Sequence, residues 1–178
     1  YKEQVKKDIE NAREKVDVLM VAMHWGVEYT HEPTQYEKDM ASYLASLGVD
    51  IIIGTHPHVI EPVEILKDDF GNEMLVYYSL GNYVNSTASE ENDIGKRMLG
   101  AMAEVTVTRD DQGNVVIDSY DAHPIVTYVS ANKKTISVFP MEMFNDELAK
   151  KSFTIKLDTN FSKKYLEDIW NSVIGNLE

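Results

Sequence analysis

The chain has 178 residues, enough for one domain with a sizeable core, and its apolar and charged fractions are those of an ordinary globular protein. Its net charge of −13, with no long Lys/Arg cluster, argues against a nucleic acid or an anionic membrane surface as partner. Cysteine is absent, which excludes disulfides, thiolate metal sites and a thiol nucleophile, and no apolar stretch is long enough to span a bilayer.

Residues 2–15 are rich in Lys and Glu, with Val5, Ile9 and Ala12 at helical spacing, and predict a helix. The apolar run Val16 to Met23 that follows reads as a buried strand. A helix leading straight into such a strand suggests that the sequence starts partway through a larger domain. Thr34 is a good N-cap for a helix over 35–47, with Tyr36, Met40, Tyr43, Leu44 and Leu47 on one face and Gly48 ending it. Asp50 to Gly54 is then a second short strand. Two helix-to-strand passages of this kind favour an α/β fold with parallel pairing covered by helices on at least one face.

Beyond Pro62 the pattern turns to antiparallel hairpins: Val63–Leu66 with Met74–Ser79, and Ala101–Thr108 with Val115–Tyr120, each pair flanking a polar turn. Residues 85–97 are polar enough to be a mobile loop. Ile125–Ser130 reads as a further strand. Met141–Lys151 and Ser162–Ile174 read as amphipathic helices, the second with Tyr165, Leu166, Ile169, Trp170 and Val173 as its stripe. The chain accordingly divides into a principal part, 1–130, and a helical extension, 131–178, expected to pack on the same domain.

The chemistry-bearing residues gather where strands finish, the end of a parallel sheet at which sites form. His24 and Glu28 follow the first strand, His56 and His58 follow the second, and Asn82 follows the apolar run 74–79. Neutral imidazole is a common ligand for divalent transition metals. By itself His56-Pro57-His58 is more commonly explained by loop packing or capping than by metal ligation. His24 adds a third imidazole to the same edge. Glu28 is placed to orient a histidine or act as a base, or else is a solvated loop acid. Gly81 permits a tight turn, in which Asn82 either donates to a substrate oxyanion or is an ordinary turn residue. His31, expected at the surface, and His123 have no partner at ligand spacing. Phosphate-binding glycine loops, nucleophile elbows and dinucleotide fingerprints are missing from the sequence, which disfavours P-loop, serine-hydrolase and Rossmann chemistry.

Three motifs in order, His24-Trp25-Gly26-Val27-Glu28-Tyr29, Gly54-Thr55-His56-Pro57-His58-Val59 and Tyr78-Ser79-Leu80-Gly81-Asn82-Tyr83, resemble the bacterial poly-γ-glutamate capsule-synthesis (CapA-type) family. That family in turn resembles the calcineurin-like metallophosphoesterases. The resemblance implies a four-layer α/β/β/α sandwich with mixed sheets and C-terminal helices, of which this chain is the C-terminal portion, and a two-metal site at the strand ends. His24 then corresponds to the isolated metal histidine, and His56 and His58 to the paired histidines of the last metal motif, for Mn, Fe, Zn or Mg. His24, Glu28 and Asn82 become the candidate catalytic residues. The earlier acidic and histidine ligands of such a site have no counterpart here, so the stretch alone is expected to be inactive. Glu61 departs from the Gln expected in many relatives and adds a negative charge.

The implied role is in synthesis or export of a capsular anionic polymer at the outer face of the bacterial membrane, alongside other capsule-synthesis membrane proteins. A general metal-dependent phosphoesterase acting on a small phosphate-containing substrate, and a non-catalytic polymer-binding or assembly module, are the alternatives.

Overall fold

A computed structural model of the chain describes residues 1–67, 73–85 and 93–177. Helix α1, Lys2–Arg13, leads to strand β1, Met20–His24. Helix α2, Gln35–Ser46, then leads to β2, Ile51–Thr55. Strands β3, Val63–Lys67, and β4, Glu73–Tyr77, are antiparallel partners. Together these four strands form a mixed sheet in the order β1-β2-β4-β3, with β1, β2 and β4 parallel.

A second sheet is antiparallel, ordered β5-β6-β7, from Leu99–Arg109, Val115–Val129 and Ile136–Pro140. β6 runs unbroken through the two segments expected as separate strands, because its partners change along its length. Its first part pairs with β5, and its last five residues also pair with β7. Segment 131–178 contributes this β7 as well as helices α3, Asp146–Lys151, and α4, Lys163–Val173.

Alternation along the central strands divides the core in two. Ile51, Leu75 and Tyr77 point to one side, where they meet Met98, Leu99 and Val126 of the second sheet region and Phe144, Phe161, Leu166 and Trp170 of the C-terminal segment. Ile52, Met74, Val76 and Tyr78 point to the other, against Ile9 of α1 and Met40, Ala41, Leu44 and Ala45 of α2. One face of the mixed sheet is thus covered by two helices, while the other shares a core with the second sheet and α4.

Local signals set several boundaries. Thr34 caps α2 as expected, its hydroxyl accepting from the Glu37 amide while the Glu37 carboxylate accepts from the Thr34 amide. Ser162 caps α4 by accepting from the Tyr165 amide. The predicted helix 141–151 begins instead with a 3-10 turn, Met141–Met143, and restarts at Asn145, whose side chain accepts from the Leu148 amide.

The strand expected from Val16 begins only at Met20. Arg13 bonds the carbonyls of Val16 and Asp17, and Asp50 accepts from the Leu19 amide, so residues 16–19 form a turn. β1 is also an edge strand, and its burial alternates, with Met20 55% exposed. The almost continuous apolar run reads as a strand buried on both faces, which β1 is not. Within the predicted loop 85–97, residues 86–92 lie outside the described residues. Ile94–Met98 is a 3-10 helix that buries Ile94, Arg97 and Met98.

Candidate metal centre

Parallel pairing of β1 and β2 sets His24 opposite Thr55, one residue before His56. The two loops leaving these strands are stitched together by backbone bonds: the Trp25 amide donates to the Thr55 carbonyl, and the Tyr29 amide to the Pro57 carbonyl at 2.8 Å. Trp25 is buried, its indole donating to the Tyr78 carbonyl at the end of β4. Gly54 makes this junction possible. A Cβ there would lie 1.8 Å from the Tyr78 carbonyl oxygen and 2.7 Å from the Trp25 indole nitrogen.

The histidine loop itself is held in uncommon backbone conformations. His56 has φ of 109° and His58 of 60°, with Tyr29 at 68°. Positive φ at a residue with a Cβ costs roughly 1–3 kcal/mol and persists where its surroundings enforce it, which is typical of ligand-clamping loops. Here the strain turns both imidazoles to one side. The ring centroids of His56 and His58 lie 6.0 Å apart, and those of His24 and His56 4.6 Å apart.

Among the described residues, Glu28, His56 and His58 bring one potential ligand atom each to within 4.8 Å of one another. Glu28 Oε1 lies 3.7 Å from His58 Nε2. His24 stands beside this group, exposed at the end of β1 and touching it through the His56 ring. The structure thus assembles all four residues, with Glu28 closer to the paired histidines than a purely outer role requires.

Asn82 is buried behind the site. Its amide nitrogen donates to the carbonyls of Arg97, at 2.9 Å, and His58, at 3.2 Å. With both amide hydrogens placed on carbonyls, Oδ1 is the atom facing His58 Nδ1, at 2.9 Å. Nδ1 therefore carries a proton, and Nε2, which faces Glu28, is the ring nitrogen available to a metal. A ring nitrogen oriented by a neighbouring amide, with the other nitrogen available, is the usual preparation of a metal-binding imidazole. Asn82 accordingly orients His58, and its amide nitrogen is engaged by backbone carbonyls. Gly81, with φ of 67°, makes the tight turn that seats Asn82; a Cβ there would lie 2.9 Å from the Leu99 carbonyl oxygen.

Tyr29, the last residue of the first motif, and Arg97, which carried no recognisable sequence signal, belong to the same surroundings. The Arg97 guanidinium lies 3.6 Å above the Tyr29 ring, whose centroid is 6.1 Å from that of His58. His31 is half-buried, contrary to its expected surface position, and bonds the Ile60 carbonyl at 2.7 Å. Burial holds its pKa below the ordinary histidine value, against the opposing effect of that bond. His123 is remote from this group in a pair with Glu104 across β5 and β6.

The donor set, two imidazole nitrogens with a carboxylate and a third imidazole beside them, suits a borderline divalent cation. The fixed His58 tautomer meets the same requirement, so the residues present fit a metal.

Residues 1–87 match the family model described as bacterial capsule synthesis protein PGA_cap. The PGA biosynthesis protein CapA of Bacillus subtilis (strain 168) is 40% identical over 76 residues, which cover 43% of this chain and 19% of that protein. The capsule biosynthesis protein CapA of Bacillus anthracis is 33% identical over 81 residues, covering 46% of this chain and 18% of that protein. The chain thus matches about a fifth of the length of these curated relatives.

Proposed function

Because residues 1–87 belong to the bacterial capsule-synthesis family, we propose that this chain supplies the paired-histidine side of a divalent-metal centre in a capsule-biosynthesis protein. The observation that carries the reading is the convergence of Glu28, His56 and His58 on a strained loop, with the His58 tautomer set by Asn82. His24, His56 and His58 are the proposed imidazole ligands, with Glu28 as a carboxylate ligand or base. A divalent cation held there, Mn, Fe, Zn or Mg, supplies Lewis acidity toward a phosphoryl or acyl oxygen and an activated water. The chain's own contribution is to hold the imidazoles on one side of the sheet edge, turn His58 Nε2 toward the cation, and present Glu28 for proton transfer.

Two helices, a mixed sheet, a second sheet and further helices support a metallophosphoesterase-like sandwich as the parent architecture. The proposed substrate is an anionic polymer of the poly-γ-glutamate kind or a small phosphate-containing precursor. The proposed setting is the outer face of the membrane, beside other capsule-synthesis proteins. Net charge of −13 repels a polyanion, so contact with such a polymer is expected only next to bound cations. Among the described residues no helix is long and apolar enough to cross a membrane.

Elemental analysis after loading with Mn, Fe or Zn tests the centre. Stoichiometric metal in the native sequence, abolished in the double variant His56→Ala/His58→Ala, is the expected result. Equal metal content in both would refute the assignment.

A further inference from the structure

Behind the histidine loops lie two carboxyl side chains that the metal centre does not use. Glu37, in the first turn of α2, and Glu61, three residues after His58, are both fully buried. Their side chains meet each other. Two ionised carboxylates have no hydrogen to donate, and as such Glu37 Oε1 and both Glu61 oxygens are left without a donor. The other Glu37 oxygen, Oε2, accepts from the amide and the hydroxyl of Thr34, each at 2.7 Å.

Among the described residues the surroundings offer no compensating charge at ion-pair distance. Tyr78, just past β4, faces the pair and also Glu64 of β3, and it is kept neutral by burial and by the neighbouring Glu64, Glu37 and Glu61 carboxylates. From the loop before α2, His31 reaches the Ile60 carbonyl, and burial favours its neutral form; Lys96 acts on that ring in the same sense. Among the described residues neither Glu37 nor Glu61 has a Lys or Arg partner at ion-pair distance. Two adjacent buried anions without a cation are far costlier than one anion hydrogen-bonded to one neutral acid.

The pair also presses on the site's first loop. A Cβ at Gly26 would lie 2.6 Å from Glu37 Oε1 and 3.0 Å from the Pro57 ring. Gly26 has φ of 87° and sits midway between His24 and Glu28, so the Glu37 carboxyl backs the turn that sets these two residues apart.

We propose that Glu37 and Glu61 share a single proton, and that this carboxylic acid–carboxylate clasp ties the start of α2 to the segment after His58 and braces the Gly26 turn. Loss of the proton places two anions in contact in the core, and the pair relieves this by separating. The Gly26 turn, packed against Glu37, moves with it. The clasp is thus a proton-sensitive device set behind the metal centre, and it acts whether or not the histidines hold metal.

The test is carbon-13 NMR titration of the glutamate-labelled full chain in the presence of a chelator, followed together with the Gly26 amide and the Trp25 indole signal. Burial, then the Glu37 charge and hydrogen bond, push the Glu61 pKa up to about 8, so its carboxyl carbon is expected to titrate there, and the Gly26 amide to shift with the same midpoint. That midpoint is separate from the ordinary histidine range near 6.5. Glu61→Gln should remove this step from the Gly26 signal, and Glu37→Gln should move the Glu61 midpoint down by a pH unit or more. A Glu61 carbon titrating in the ordinary carboxylate range overturns the shared proton. A Gly26 amide that ignores the Glu61 step overturns the brace. Both of these readings come from the native sequence and do not depend on either variant folding.

Discussion

The Glu61 carboxyl makes stability depend on pH with a sign opposite to that of an ordinary salt-bridged acid. Its folded pKa, about 8, lies above the unfolded value of 4.5, so between these limits the folded chain holds a proton that the unfolded chain has lost. Stability contributed by this group is complete below pH 4.5, declines as pH rises and levels off above pH 8. At about 1.4 kcal/mol per pH unit, the decline is about 3 kcal/mol by pH 7 and at most about 5 kcal/mol in all. Glu61→Gln conserves shape, keeps a donor toward Glu37 and cannot ionise. Urea denaturation of both proteins at half-unit steps from pH 5 to 9 isolates the effect of the pair, because acidic groups remote from it are common to both and cancel. The variant is expected to gain on the native sequence by about 1.4 kcal/mol per pH unit and then run parallel to it above pH 8. Curves parallel from pH 5 onward would refute the reasoning, since they would mean that Glu61 is already ionised in the folded chain.

Asn82→Ala removes the acceptor that fixes the His58 tautomer and is expected to weaken Zn or Mn binding by about 10- to 100-fold, measured by calorimetric titration. Its stability cost, from the lost bonds to the His58 and Arg97 carbonyls, is expected at about 1–3 kcal/mol. Gly54→Ala places a methyl 1.8 Å from the Tyr78 carbonyl oxygen. The junction of β2, β4 and Trp25 must open, and denaturation should show a loss of about 3 kcal/mol or more.

The parts of the fold that rest on local signals were legible in the sequence. Periodicity located α1, α2 and α4, and Thr34 marked the N-cap of α2, where the structure adds a capping box with Glu37. The antiparallel pairings of β3 with β4 and of β5 with β6 followed from alternating runs around polar turns. Errors arose where a distant partner overrides a local run. The Val16–Leu19 stretch is apolar enough for a strand, yet Arg13 and Asp50 hold it as a turn. β6 is one long strand because two different neighbours pair with it in succession. His31 is polar and loop-borne but half-buried, because the Ile60 carbonyl comes back to meet it.

The site divides along the same line. Sequence alone placed His24, Glu28, His56, His58 and Asn82 at strand ends, since a strand's end is a local property and parallel pairing brings such ends to one edge. Tertiary structure decided what these residues do for one another. It brought Glu28 up to the paired histidines, turned the Asn82 oxygen to His58 Nδ1 and set Arg97 over Tyr29. It also buried Glu37 and Glu61 against each other from separate elements, a placement that the sequence reading did not foresee. Proton position and charge compensation depend on atoms within a few ångströms that lie tens of residues apart in the chain, and only the packed sheets and helices bring those atoms together.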